Sequence, residues 1–157
     1  MNEPSASART TVHASPDEVY SLVSDPPRMS ALTEELERAT WLGGVREAAV
    51  GARFRGHNRR AWRRWSTTAT VTDAEPGRRF AFEVSSFAGI PVSRWQYDIR
   101  AAEDGCVVEE HTWDRRPAWF RPFANLVTGV RDRADQNRRN MAHTLSRLKS
   151  AVEAARG

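Results

Sequence analysis

Between Gly51 and Trp113, apolar and polar residues change places almost one by one across several short stretches. From Phe123 to Val152 the apolar spacing changes to threes and fours. A period of two belongs to strands with one buried face, and a period near 3.6 to an amphipathic helix. Several antiparallel strands closed by one long helix leave few arrangements that bury both apolar surfaces. The simplest is a curved sheet wrapped around the helix, with space left between them. The polar residues that point into that space are then the ones to find.

Strand parity supplies them. Phe54, Gly56 and Asn58 share one face of a strand, opposite Arg53, Arg55, His57 and Arg59. Trp65, Thr67, Ala69 and Val71 share the face of the next. Glu75-Pro76-Gly77 reads as a turn. Phe80, Phe82 and Val84 then alternate with Arg79, Ala81 and Glu83. After a loop over Ser85–Pro91, Trp95, Tyr97 and Ile99 face in while Arg94, Gln96, Asp98 and Arg100 face out. Glu103-Asp104-Gly105 is a hairpin turn, and the last strand runs from Cys106 to about Trp113.

The flanking segments read as follows. Residues 1–7 look like a tail, and Arg9 to His13 like a first strand. Ser15-Pro16-Asp17-Glu18 starts a helix: Ser15 caps, Pro16 takes the first helical position and Glu18 completes a capping box. Asp25-Pro26-Pro27 stops that helix. A second short helix from about Arg28 precedes a strand over Leu36–Leu42, which Gly43-Gly44 ends. Beyond Arg115-Arg116-Pro117, the stripe Phe123, Val127, Val130, Ala134, Asn137, Met141, Leu145, Leu148 and Val152 predicts one continuous helix.

Composition narrows the classes. The chain of 157 residues suits one domain with a real core. No apolar run is long enough for a membrane span, and the N-terminus has no apolar stretch typical of a secretory signal, so stable membrane insertion is not expected. The single cysteine, Cys106, leaves no internal disulfide and fits a reducing cytoplasm. Arginine supplies 23 of the 24 basic residues and the net charge is +4. The run Arg59-Arg60-Ala61-Trp62-Arg63-Arg64-Trp65 interleaves tryptophan with charge, as single-strand nucleic-acid grooves do. The strand pattern around it, and the balancing 20 acidic residues, favour a solvated hairpin and no nucleic-acid partner. Trp119-Phe120 reads equally as a gate, a lipid contact, a dimer contact or an anchor for the helix.

The stretches VHASPDEVYSLVSDPPRM, VGARFRGHNR, WSTTATVTDAEPGRRFAF and RWQYDIRAAEDGCVVEE, followed by the terminal helix, resemble the START-like (SRPBCC) superfamily and most nearly its polyketide cyclase/dehydrase branch. The resemblance runs over nearly the whole chain from about Arg9. It implies an α+β helix-grip fold: a curved antiparallel sheet around a long C-terminal helix, two short N-terminal helices and an internal cavity. It implies no shared catalytic motif, so activity has to be argued from the site.

The residues expected to line the cavity are Asn58, Trp65, Thr67, Phe80, Phe82, Trp95, Tyr97, Cys106, Val108, Glu110 and Thr112 from the sheet. Asn137 and Met141 join them from the helix. Most are apolar or aromatic, as in small-molecule pockets. Glu110 is the sharpest candidate, because desolvation raises a carboxylate's pKa toward that of a general base near neutral pH. Cyclisation of a poly-β-keto chain needs removal of a proton alpha to a carbonyl and donors for the enolate. Glu110 is placed as the base, with Arg63, Tyr97 or Asn58 as donors. Glu109 is adjacent, and a bulge would exchange the two; an ion pair to an arginine is the plainer role. The four histidines do not cluster and no metal is expected. No glycine-rich phosphate loop follows a strand, so no cofactor is expected either. Three functions follow: a cofactor-independent cyclase or aromatase, a non-catalytic lipid or metabolite binder, and a protein-interaction module. The oligomeric state is open between monomer and homodimer.

Overall fold

The computed structural model describes residues 3–156. Its elements are β1 (Ala6–Val12), α1 (Pro16–Val23), α2 (Pro26–Met29), β2 (Leu36–Trp41), β3 (Arg53–Arg60), β4 (Arg63–Glu75), β5 (Arg79–Ser85), β6 (Pro91–Ala102), β7 (Gly105–Asp114), α3 (Arg121–Thr128) and α4 (Arg133–Arg156). The seven strands form one sheet in the order β1-β7-β6-β5-β4-β3-β2. Every neighbouring pair is antiparallel. Register shifts between Val71 and Asp73, and between Val84 and Ser85, bend the sheet. α4 lies against β1 and β7, so the sheet curls around it. The expected helix-grip architecture is the observed one.

The capping box at Ser15 forms as the sequence predicts: the Glu18 backbone N–H donates to the Ser15 hydroxyl and the Ser15 N–H to the Glu18 carboxylate. Val19, Leu22 and Val23 bury the apolar face of α1. Val19 and Leu22 join Val12, Ile99, Cys106, Val108, Leu148 and Val152 in a closed core at one end of the grip.

Three boundaries differ from expectation. β1 begins at Ala6, because Ala6 and Ser7 already pair with Thr112 and His111; the expected tail therefore shortens, and Met1 and Asn2 lie outside the described residues. α2 begins at Pro26, two residues early, because Asp25 accepts from the Arg28 N–H and caps it. The terminal helix is not continuous. α3 ends at Gly129 in the left-handed conformation (φ 74°), and α4 starts afresh where the Asp132 carboxylate accepts from the Asp135 N–H. Val130 keeps the apolar stripe going by being buried in the link itself.

The outer face carries a second surprise. Arg94 and Gln96 point outward as parity demands, yet each is only 8% exposed. Arg94 donates to Thr72, Asp73 and Gln96, Gln96 donates to Asp98, and Arg79 ties Asp98 to Asp73. Neighbouring polar chains and the Trp113 ring, 5.8 Å from the Arg94 guanidinium, cover them.

Candidate functional site: a hollow between sheet and helix

At the end of the grip away from the closed core, the concave face and α4 do not meet. A cavity of about 490 Å³ separates them. The sheet supplies Asn58, Trp65, Thr67, Phe80, Phe82, Trp95, Tyr97 and Glu110 to its wall, and α4 supplies Asn137 and Met141. These ten residues were all expected there from parity and helical spacing. Aromatic edges dominate: Phe82 packs on Phe54 at 5.1 Å and on Phe80 at 5.6 Å between ring centroids.

Four expected residues lie elsewhere. Cys106 and Val108 have the inward parity but sit in the closed core, fully buried. Thr112 is buried with its hydroxyl donating to the Arg94 carbonyl at 2.9 Å, which spends it on the sheet. Arg63, the proposed enolate donor, is not in the cavity wall. Its guanidinium donates to the Leu126 carbonyl at 3.4 Å and lies 4.2 Å over the Trp62 ring, because α3 packs beside the β3–β4 hairpin and draws it outward. Asn58 is in the wall, but its amide already donates to Thr67 Oγ1 and the Trp65 carbonyl.

Glu110 is the polar centre. The β6–β7 ladder runs without a register shift, pairing Tyr97 with Glu110 and Asp98 with Glu109. Glu110 therefore faces in, and Glu109 faces out to pair with Arg100. Glu110 is 2% exposed, and its Oε1 has no hydrogen-bond partner. Burial drives its pKa from 4.5 to about 8; the hydrogen bond donated by the Tyr97 hydroxyl opposes the rise only in part. Tyr97 is itself pushed well above the ordinary phenol value, first by burial and then by the carboxylate beside it. At neutral pH the pair is thus mostly a protonated acid and a neutral phenol, with one carboxyl oxygen unused.

The wall also contains polar features that the parity reading missed. Arg116 donates to both Asp114 carboxylate oxygens and to Asn125, and Arg133 donates to Glu35 at 2.7 Å. Burial pushes Asp114 up, but the bonds and charge of Arg116 outweigh it and hold the carboxyl below its usual range. Phe120, 4% exposed, closes the wall from the lead-in to α3. These residues sit in loops and at helix starts, where no period announces their direction. Among the described residues no group of three or more His, Cys, Asp and Glu is placed to hold a metal, and no helix is long and apolar enough to cross a membrane.

Known proteins share this architecture. The Polyketide_cyc-like protein Cgl2372 from Corynebacterium glutamicum is 25% identical, with 99% of this chain and 95% of that one aligned and a TM-score of 0.58. Protein CV1439 from Chromobacterium violaceum is 13% identical over 94% and 96% of the two chains, with a TM-score of 0.69. The di-domain ARO/CYC StfQ from the steffimycin biosynthetic pathway is 14% identical with a TM-score of 0.73; the alignment covers 96% of this chain and 51% of StfQ. At such identities the likeness to CV1439 and StfQ shows the fold alone. No curated protein sequence matches the chain. The sequence profile of the family described as "Polyketide cyclase / dehydrase and lipid transport" matches residues 3–153. With the helix-grip fold and its aromatic hollow in place, that match over almost every residue means that the chain belongs to the polyketide cyclase/dehydrase and lipid transport family.

Proposed function

We propose that the protein binds an apolar or aromatic, carbonyl-bearing small molecule in the cavity, and that Glu110 with Tyr97 handles the proton in a cofactor-independent cyclisation or dehydration. The observation that carries this reading is the unpartnered Oε1 of a buried carboxyl in an aromatic wall. A lone polar oxygen there costs free energy unless something in the cavity meets it. A ligand carbonyl does so when Glu110 is protonated.

The chemistry balances within one group. With a pKa of about 8, about a tenth of Glu110 is ionised at pH 7. That fraction removes a proton alpha to a carbonyl, and the carbanion's electron pair forms the new C–C bond at a second carbonyl of the same chain. The resulting alkoxide takes the proton back from Glu110. Loss of water follows when Glu110 takes a second alpha proton and returns it to the departing hydroxyl. The Tyr97 hydroxyl, donating to the carboxylate, steadies its ionised form. Arg63 has no part in this scheme, which corrects the donor set expected from sequence.

The alternative is a non-catalytic lipid or metabolite binder, favoured by the apolar wall and by the commitment of the Asn58 amide to the sheet. An interaction module would suit a filled cavity, and this one is not filled. A cytoplasmic location is part of the proposal and rests on cysteine usage alone.

Native mass spectrometry with organic extraction of co-purifying molecules is the first test. A retained aromatic, polyketide-like or lipid molecule supports the reading and names its class. A protein that arrives empty and ignores a panel of such molecules overturns it. With a substrate in hand, Glu110→Gln should lower turnover by about a hundredfold or more while binding changes little. Undiminished turnover would remove Glu110 from the chemistry.

A further inference from the structure

Four of the five large apolar side chains exposed among the described residues are Trp62 (78%), Trp119 (71%), Phe123 (49%) and Leu126 (74%). They fall in two segments, 59–65 and 115–131. Each segment carries four arginines and neither contains an Asp or Glu. The segments meet: Arg63 donates to the Leu126 carbonyl and Arg60 to the Gly129 carbonyl. They therefore form one apolar, basic face beside the cavity.

Helical spacing orients it. Phe123 and Leu126 stand three residues apart on one side of α3, and Trp119 lies in the turn that leads into the helix. Ala124 and Val127 of the adjoining side line the cavity, and Phe123 is the shared edge. α3 buries none of its residues fully. Pro117 before it and Gly129 after it separate it from β7 and from α4. A helix that is apolar toward the cavity and apolar again toward solvent is not explained by the fold alone.

We infer that this face docks on anionic lipid bilayers, with Trp62, Trp119, Phe123 and Leu126 entering the headgroup boundary and the surrounding arginines contacting lipid phosphates. Tryptophan and phenylalanine beside arginine are the side chains that such an interface takes: amphipathic rings at headgroup depth, and guanidinium groups that reach phosphate while their stems lie on apolar surface. Arg59, Arg115 and Arg116 pair with Glu37, Glu83 and Asp114, and the charge complementarity comes from the other arginines of the two segments, Arg64, Arg121 and Arg131 being exposed among them. A protein groove needs matching pockets, whereas these side chains rise from two separate elements around a helix. Docking here sets the outer wall of the cavity against the phase in which an apolar ligand dissolves. That route rests on the ligand-binding reading above; docking itself does not.

Flotation with vesicles tests it without using the cavity. The wild-type protein should float with vesicles of equal parts phosphatidylcholine and phosphatidylglycerol, and at least about tenfold less with phosphatidylcholine alone. W119A/L126A should lower the anionic-vesicle fraction at least about tenfold, and R64E/R131E should do the same. All four positions are exposed, and matched melting curves will show that the variants fold. V50A, which removes exposed apolar area from another part of the chain, and E110Q, which alters the cavity, should float like the wild type. No flotation of the wild type, or flotation indifferent to both double variants, overturns the inference. So does self-association lost in W119A/L126A without vesicle binding, which would assign the face to a second copy of the chain.

Discussion

At the scale of single residues, Glu110 is the position where the molecule sets stability against use. Its folded pKa of about 8 lies above its unfolded value of 4.5. Below the unfolded value the group is protonated in both states and costs nothing. Between the two values the unfolded chain releases the proton while the folded one keeps it, so stability falls as pH rises. Above about pH 8 the loss is complete. The cost is on the order of 3 kcal/mol by pH 7. Glu110→Gln removes the titration, so its melting temperature should exceed that of the wild type by a margin that widens from about pH 5 to about pH 8. Thermal denaturation at both values decides this, and a margin independent of pH would show that the carboxyl is not desolvated as described. Tyr97→Phe should act oppositely on the ionised form: loss of the donated hydrogen bond raises the Glu110 pKa further. The carboxyl resonance of Glu110, titrated by NMR, should then move to higher pH.

At the scale of elements, the strands were legible in the sequence, and the terminal helix was legible except for its break. A strand's side chains alternate strictly, so one secure residue fixes the whole face; this is why Trp95 and Tyr97 predict Glu110's neighbours correctly. Parity gives a face, not a depth. Val108 and Glu110 share a face, yet one lies in the closed core and the other in the hollow. Nor does parity follow a long side chain at a hairpin end, where Ala61 turns through positive φ and Arg63 swings to α3. The helix break escaped notice because Val130 satisfies the apolar spacing from within the link. Gly129 was the available signal, since the left-handed conformation at a helix end favours glycine. A Cβ there would also sit 2.8 Å from the Arg63 guanidinium. Gly129→Ala should therefore cost about 1–2 kcal/mol and displace Arg63. Hydrogen exchange should report faster opening across residues 121–128 than across α4. A variant with uniform, wild-type protection would mean that α3 is not held by this junction.

At the scale of the whole molecule, the grip has a closed end and a hollow end, and the two should answer substitution differently. Leu148, fully buried, sits in the core with Val12, Val19 and Val108. Met141, two helical turns earlier on α4, is 1% exposed but forms part of the cavity wall. Leu148→Ala opens a new void in close-packed surroundings and should cost about 3–4 kcal/mol. Met141→Ala mainly enlarges a space of about 490 Å³ that already exists. Fewer neighbouring atoms lose contact, so its cost should fall near the lower end of the range for such truncations, about 2 kcal/mol. Ligand binding should reverse the ranking of effects. A bound molecule stabilises the fold by mass action, and Met141 touches that molecule's space whereas Leu148 does not. Met141→Ala should shift the preferred ligand toward larger members of a homologous series, while Leu148→Ala leaves the preference unchanged at a lower melting temperature. Denaturant titration of both variants, repeated with the ligand series, separates a hollow kept open for a guest from a packing defect at the end of the sheet. Equal costs and an unchanged preference in both would place the two residues in one continuous core.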